Sequence, residues 1–397
     1  MNDTRWSARA VFAIACLGIM LFGVVLTTLG AILPDIVSRF NVSKAAAGSL
    51  FMLLSFTILL GSLVFGPSVD RLGYRAPLAA AAALVAAGIE TIAFAPTLAV
   101  VRAGLVLIGL GGGIFNVACN AVVADTAETG KAARLSLLGA CFGIGAVGVP
   151  FALGTLQRVV SQTAVLASTG GLAGLTALAT VRTVFPAPKQ PHSFPLGQAL
   201  RMAREEPLLL IGLMAFLESG MEITVGGWTS TFAREALMLS GQVALFFLSL
   251  YWLGMMVARL VIGTLLKRLA PRLVVAASLL LAFAGVMLLL SSRATGLAAL
   301  GVFVVGAGFA GVFPVLLSWL GERYQELSGT AFSIALVMAL AGGMLLPYLT
   351  GVLGERFGMR ASLITVPVAL VLSASVFVVV NLRRLIPPHT PPETASR

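Results

Sequence analysis

Charge is what this sequence has least of. Asp, Glu, Lys and Arg supply 10% of its 397 residues, while 59% are hydrophobic; an ordinary soluble domain carries about 25% charged residues. So few charges cannot cover a water-exposed surface, and the mean hydropathy of +1.03 points to an integral membrane protein. Histidine is almost missing: His192 and His389 both lie in polar, proline-rich loops, which removes histidine-based metal or acid–base chemistry from the apolar segments. Cysteine is scarce as well. Cys16, Cys119 and Cys141 all fall inside apolar runs with no paired spacing, so neither a disulfide framework nor a zinc site follows, and packing is their expected role. There is no glycine-rich phosphate loop ending in lysine, so ATP is not expected to drive the chain directly. No cluster of His, Asp or Arg gathers near one membrane face, as a membrane transferase would want. Neither an enzyme nor a cofactor or metal is expected.

What is present is a succession of apolar runs of about 20 residues, each able to cross a hydrocarbon core of roughly 30 Å as a helix. A β-barrel would alternate instead. The runs predict an all-α membrane protein with twelve transmembrane helices, at residues 10–34, 45–66, 76–95, 98–124, 133–157, 162–183, 207–233, 241–266, 273–291, 295–320, 327–352 and 361–382. Arg5 and Arg9 precede an apolar run of about 25 residues from Val11, too long for a cleaved signal, so the first span should stay. The longest connection, Phe185 to Glu206, holds Pro186, Pro188, Pro191 and Pro195 among Lys189, Arg201 and Arg204, the composition of a linker. The expected organisation is a six-helix bundle at 1–184, a cytoplasmic linker at 185–206, a second bundle at 207–384 and a tail at 385–397.

The net charge of +11 could suggest nucleic acid, but the basic residues are scattered through short loops and read as topology signals. With both termini inside, 17 Lys and Arg fall on the cytoplasmic side and 8 on the outer side, Arg259 being left within a span. A multi-pass protein of the cell inner membrane with cytoplasmic termini is expected, monomeric, with lipid around it and no nucleic-acid partner.

A constant offset of 197 residues aligns landmarks in the two halves: Gly23 and Gly30 fall on Gly220 and Gly227, Gly109 and Gly111 on Gly306 and Gly308, and Pro150 and Gly154 on Pro347 and Gly351. Small residues and prolines at matching depths imply two halves of similar shape, related by a pseudo-two-fold axis.

Between the second and third spans runs Gly66-Pro-Ser-Val-Asp70-Arg71-Leu-Gly73-Tyr-Arg75. It resembles the loop signature of the major facilitator superfamily, G-x-x-x-D-R-x-G followed by a basic residue. The resemblance implies twelve spans in two bundles, and a latch in which Asp70, Arg71 and Arg75 tie the cytoplasmic ends of neighbouring helices together. The second copy departs from the pattern, with Lys267 where Asp70 stands in the first, so the latch should be stronger in the first half.

The fourth span carries Gly109-Leu-Gly111-Gly112-Gly113 and then Asn116 and Asn120, two amides one turn apart. Such a face suits a ligand rich in hydroxyls; interhelical hydrogen bonding is the plainer reading. The seventh span is polar at membrane depth, with Glu218, Glu222, Thr224 and a Gly226-Gly227 pair expected to loosen the helix. A carboxylate in hydrocarbon costs roughly 2.5–3.5 kcal/mol on insertion scales, so these acids should face a bundle interior or a watery path. Thr27, Thr28, Tyr251, Trp252, Arg259, Ser318, Trp319 and Ser333 are also polar or aromatic at depth. Of these, Trp319 reads as a membrane-interface residue and Arg259 as one that snorkels toward the cytoplasm.

The glycine-rich fourth span, Arg134-Leu-Ser-Leu-Leu-Gly-Ala-Cys-Phe-Gly143-Ile-Gly145, and G-x-E-x-x-x-G-G-W from Gly220 to Trp228 are similar to the fucose–galactose–glucose symporter branch. That resemblance implies a sugar carrier and marks Glu222 and Trp228 as site residues. The acids that the branch's fucose permease uses in its first and fourth spans are replaced by Gly30 and Asn116, so its coupling does not carry over.

The expected function is secondary transport of a small neutral polyhydroxylated solute, a hexose first, by alternating access. Asn116, Asn120, Glu222, Trp228, Tyr251 and Thr27 are the expected binding residues, and Glu222 with Glu218 the coupling candidates, since a buried carboxyl can bind and release a proton. Sodium coupling and uncoupled transport stay open. Export of drugs or amphipathic metabolites is the alternative, and a sensor that binds without moving solute is a further one.

Overall fold

The computed structural model describes residues 6–127, 131–188, 197, 201–266 and 268–385. Lys189, His192, Lys267, His389 and Arg397, and the side chain of Lys131, lie outside what it describes. Among the described residues there are α-helices and one short 3-10 turn, and no strand. The first six helices are α1 (Ala8–Phe40), α2 (Lys44–Leu72), α3 (Arg75–Ala93), α4 (Leu98–Thr126), α5 (Lys131–Leu156) and α6 (Gln162–Arg182). The second set is α7 (Glu206–Glu235), α8 (Gly241–Leu265), α9 (Pro271–Ser291), α10 (Thr295–Phe309), α11 (Val312–Arg323), α12 (Ser328–Phe357), α13 (Met359–Ser362) and α14 (Thr365–Leu382). With α10–α11 and α13–α14 each taken as one interrupted span, they make 12 segments long and apolar enough to cross a membrane.

Local sequence sets where these helices begin. Ser43 and Ser240, at the same place in the two halves, each accept a hydrogen bond from the backbone N–H three residues on and so cap α2 and α8. The offset holds throughout the second set: helices starting at 8, 44, 75, 98, 131 and 162 have partners starting at 206, 241, 271, 295, 328 and 359, each within one residue of a 197-residue shift. Close packing repeats with them. A Cβ on Gly88 would lie 2.7 Å from the Gly104 carbonyl oxygen, and one on Gly285 would lie 3.0 Å from that of Gly301, so α3 meets α4 as α9 meets α10.

Two bundles result. In the first, α1 packs on α4 and α5, α2 on α4, and α3 on α4 and α6; in the second, α7 packs on α12 and α14, and α10 on α8 and α9. The bundles meet through α2 with α12, α5 with α8, and α1 with α7. We call the end where α1 begins and α14 finishes proximal, and the other end distal. The distal ends are tied across the seam: Arg234 donates to Asp35 at 2.9 Å, the Lys44 ammonium lies 2.8 Å from Glu235, and the Lys44 backbone N–H donates to Glu355 at 2.5 Å.

Helix α7 runs unbroken through Gly226 and Gly227, which corrects the expectation of a loosened helix there. The glycines serve contact instead. A Cβ on Gly30 of α1 would stand 2.3 Å from the Gly226 carbonyl oxygen, so the two helices cross backbone to backbone.

A candidate solute site in the central cavity

A cavity of about 320 Å³ lies between the bundles. Its walls come from the middle of α1, α2 and α7, from the proximal halves of α4, α5, α8 and α12 and from the first turn of α11, so it faces the proximal end while the seam is closed distally. Five pairs of repeat-equivalent positions line it together: Phe22 with Ser219, Leu26 with Ile223, Asn116 with Phe313, Gly139 with Leu336, and Phe142 with Ala339. The cavity therefore straddles the pseudo-two-fold axis. Its positions repeat, but its chemistry does not.

Glu218, Ser219 and Glu222 reach the wall from α7, Arg259 from α8, and Asn116 and Asn120 from α4. An Arg259 Nη2 lies 4.0 Å from Glu222 Oε2, and the guanidinium stands 5.2 Å from the centre of the Phe142 ring, a cation–π distance. Asn120 donates to the Asn116 carbonyl at 2.8 Å, which fixes one amide. Glu218 is 1% exposed, and its Oε1 has no hydrogen-bond partner; neither has the buried Nε of Arg259. An unpaired donor and an unpaired acceptor thus belong to neighbouring side chains of one wall. Leaving such a buried group unsatisfied costs about 1–3 kcal/mol.

The structure gathers Asn116, Asn120, Glu218 and Glu222 around one space, but it does not put the other expected binding residues there. Trp228 is fully buried, donates to the Pro347 carbonyl at 3.0 Å and packs on Phe51 of the other bundle, so it seals the distal seam rather than facing the cavity. Tyr251 is also buried; its hydroxyl donates to the Glu222 carbonyl at 3.1 Å, behind the wall. Thr27 is buried beside the lining residue Leu26, with its hydroxyl unpartnered. Each was placed at the right depth by its sequence position, but a helix has several faces and depth does not choose among them.

Two further expectations are corrected. Arg259 does not snorkel; the acid one helix away and the Phe142 ring keep it in the cavity wall. Its repeat partner Ser62, buried and donating to the Gly113 carbonyl at 3.1 Å, was the sequence signal that this position faces inward. Trp319 is 2% exposed and stacked on Phe377, so it is a packing residue and not a membrane-interface one.

The proximal loop motif forms its own cluster within the first bundle. Tyr74, fully buried, donates to Asp125 at the end of α4 at 2.7 Å, and Arg75 donates to the Val181 carbonyl at the end of α6. Asp70 stands beside them, and burial together with Asp125 pushes the Tyr74 phenol above its ordinary value.

Twelve spans in two repeated halves around a central cavity, apolar for the most part with a few charged and amide groups, define a membrane transporter. The chain belongs to the Major Facilitator Superfamily, whose family model matches residues 15–338 and 211–397. It is 25% identical over 354 residues to the uncharacterized transporter y4wD of Sinorhizobium fredii, covering 86% of this chain and 91% of the relative. Its fold resembles the nucleoside transporter NupG, with a TM-score of 0.79 at 15% identity over 94% of this chain and 98% of that one. It also resembles a D-xylose-proton symporter, with a TM-score of 0.73 at 16% identity over 93% and 97% of the two chains.

Proposed function

We propose that this transporter carries a small neutral solute bearing several hydroxyl groups, a hexose or a molecule of similar size, together with a proton. The observation that carries the reading is the unpaired Arg259 Nε–H and the unpaired Glu218 Oε1 in one wall. A hydroxyl both accepts and donates, so small shifts of these side chains toward a bound hydroxyl would satisfy the two at once. Asn116 and Asn120 offer further donors and acceptors, while Phe22, Phe142 and Phe313 give the apolar surface that the C–H faces of a sugar need.

The charges favour coupling to a proton. Glu218 and Glu222 stand one helical turn apart on α7 and both line the cavity, so a proton held by one of them would relieve the repulsion of two like charges. With that proton the pair carries one negative charge and Arg259 balances it, a neutral setting for a neutral cargo; without it the wall is left one charge short of balance. That the fold resembles a D-xylose-proton symporter supports the same reading. The two bodies that rock are residues 1–184 and 207–384. The excess of Lys and Arg at the proximal end puts both termini in the cytoplasm, so the cavity described above faces inward. The protein acts as a monomer in the cell inner membrane.

Counterflow of labelled hexoses in reconstituted vesicles, with and without a pH gradient, tests this. Saturable exchange and uphill uptake driven by acid outside are expected. Transport of amphipathic dyes with no hexose exchange would replace the reading by export of drugs or metabolites.

A further inference from the structure

Two prolines sit at the same place in the two halves, and each frees a carbonyl. Proline has no N–H, so Pro347 in α12 leaves the Gly343 carbonyl without its helical donor, and Pro150 in α5 does the same to the fully buried Ala146. In the first case Ser55 on α2 repairs the loss, donating to the Gly343 carbonyl at 3.2 Å. The repeat partners of Ser55, Gly343 and Pro347 are Trp252, Ala146 and Pro150. Here the donor is an indole N–H, 3% exposed, and it makes no hydrogen bond. A buried indole N–H ordinarily has a partner, so this one is a donor held in reserve.

Helix α1 adds a third polar group. A Cβ on Gly23 would lie 2.2 Å from the Phe142 carbonyl oxygen and 2.9 Å from the Ala146 nitrogen, so this face of α1 meets α5 at those residues. Thr27 is one turn further along the same face, fully buried, with its hydroxyl unpartnered. The Phe142 side chain stands between this region and the central cavity. Its ring lines the cavity on one side and on the other lies 5.9 Å from the Trp252 ring, edge to face. One turn proximal, Gly139 also lines the cavity, and a Cβ there would meet nothing within 4 Å, so the Phe142 ring has open space to swing into.

We propose that the Trp252 N–H, the Thr27 hydroxyl and the Ala146 carbonyl form a recessed subsite behind Phe142 that takes the exocyclic hydroxymethyl group of a hexose. The other hydroxyls of a sugar are bonded directly to its ring and cannot pass a phenyl group. A hydroxymethyl arm reaches one bond further and is slim enough to enter once the Phe142 ring turns toward Gly139. Its single hydroxyl can accept from the indole and donate to the carbonyl or to Thr27, which pairs groups that have no partner when the subsite is empty. The inference rests on the hydroxylated cargo proposed above and deepens it: the protein should prefer a hexose to the pentose that lacks only this arm.

Matched sugars test it. D-glucose differs from D-xylose, and D-galactose from L-arabinose, by the hydroxymethyl group alone. Competition of the four sugars in counterflow, with the full chain in reconstituted vesicles, gives their relative affinities. The unaltered protein should favour the hexose of at least one pair by about threefold to tenfold, the worth of one hydrogen bond. Trp252→Phe should weaken that hexose by a similar factor and leave its pentose unchanged, so that the preference disappears. Thr27→Val, which keeps the side-chain volume and removes the hydroxyl, should act in the same direction, and it carries the comparison if Trp252→Phe does not fold.

The split between hexose and pentose is what a packing role would not produce. Equal weakening of both sugars by Trp252→Phe and Thr27→Val would mean that these groups hold a resident water or the helix contact, and it would overturn the subsite while the sugar reading stands. So would an unaltered protein that binds each hexose no better than its pentose. If none of the four sugars is exchanged, the hydroxylated-cargo reading itself falls and the subsite goes with it.

Discussion

Gly30 and Gly227 occupy the same place in the two halves of the chain, and they meet each other: a Cβ on Gly30 would lie 3.1 Å from the Gly227 Cα. A position touching its own repeat lies on the pseudo-two-fold axis, so the point about which the halves are arranged is a contact between two glycines.

Gly30→Ala would force a methyl group to within 2.3 Å of the Gly226 carbonyl oxygen, and backbone cannot yield as a flexible side chain can. Overpacking of this kind costs about 1–3 kcal/mol. Thermal unfolding in detergent should show the loss, and it should exceed that of Gly148→Ala, where a Cβ meets nothing within 4 Å.

Trp228→Phe tests whether the indole binds cargo or holds the seam. It would remove the indole's hydrogen bond to the Pro347 carbonyl, at a cost of about 0.5–1.5 kcal/mol. A lower melting temperature with solute affinity changed by less than about twofold is expected, since a difference of 0.4 kcal/mol is already that large a factor. A clean loss of affinity at unchanged stability would return Trp228 to the site.

These outcomes bear on what the sequence could and could not tell. Helix number, helix starts and the repeat were legible because the bilayer demands long apolar runs and because Gly23, Gly30, Gly109 and Gly111 recur as glycines 197 residues on. Depth was legible too, which is why Glu218, Glu222, Asn116 and Asn120 all come to line one cavity. The face of each helix was not, because an apolar side chain suits both lipid and protein interior and hydropathy then has no period to read. Trp228, Tyr251 and Thr27 lie off the cavity lining for that reason. Arg259 was read as snorkelling because an arginine's own length permits two destinations; its repeat partner Ser62 marks the inward one, and Glu222 on another helix gives the guanidinium its partner there.

Asn120→Ala removes a cavity amide whose donor is already committed to the Asn116 carbonyl. Losing one hydrogen bond to a cargo hydroxyl costs about 0.5–1.5 kcal/mol, so calorimetry on the folded variant should show binding weakened several-fold. Unchanged affinity would make the amide face structural.

Glu222→Gln keeps the shape of the wall and removes a proton site. Uphill accumulation should disappear while exchange of solute for solute survives, because exchange needs no net proton movement. If uptake by the unaltered protein ignores both pH and sodium gradients, the coupling role is lost, and Glu222 remains only as an acceptor in the wall.

At the proximal end, Asp70→Asn and Tyr74→Phe should change transport rate more than affinity, since their cluster ties α4 to the α2–α3 turn and lines no part of the cavity. The Tyr74 bond should also resist alkali. Burial and Asp125 push this phenol above its ordinary value of 10.0, so its contribution to stability is complete below that pH and is lost only as pH climbs toward the higher folded-state value. Melting temperature followed from neutral to alkaline pH for Tyr74→Phe and the unaltered protein should show a constant gap up to that point.

The paired lining positions carry one more consequence, for the stereochemistry of whatever is carried. In a wall that obeyed the repeat, a molecule turned by half a revolution about the axis would meet the same groups, and two poses would be filled equally. Here both acids and the guanidinium come from α7 and α8, the two amides come from α4, and Phe313 stands where Asn116 stands in the other half. Turning the molecule over would set its hydroxyls against a phenyl ring and its C–H face against a carboxyl. For the hydroxylated cargo proposed above the two poses are therefore unequal, and unequal poses are what a site needs to tell a molecule from its mirror image.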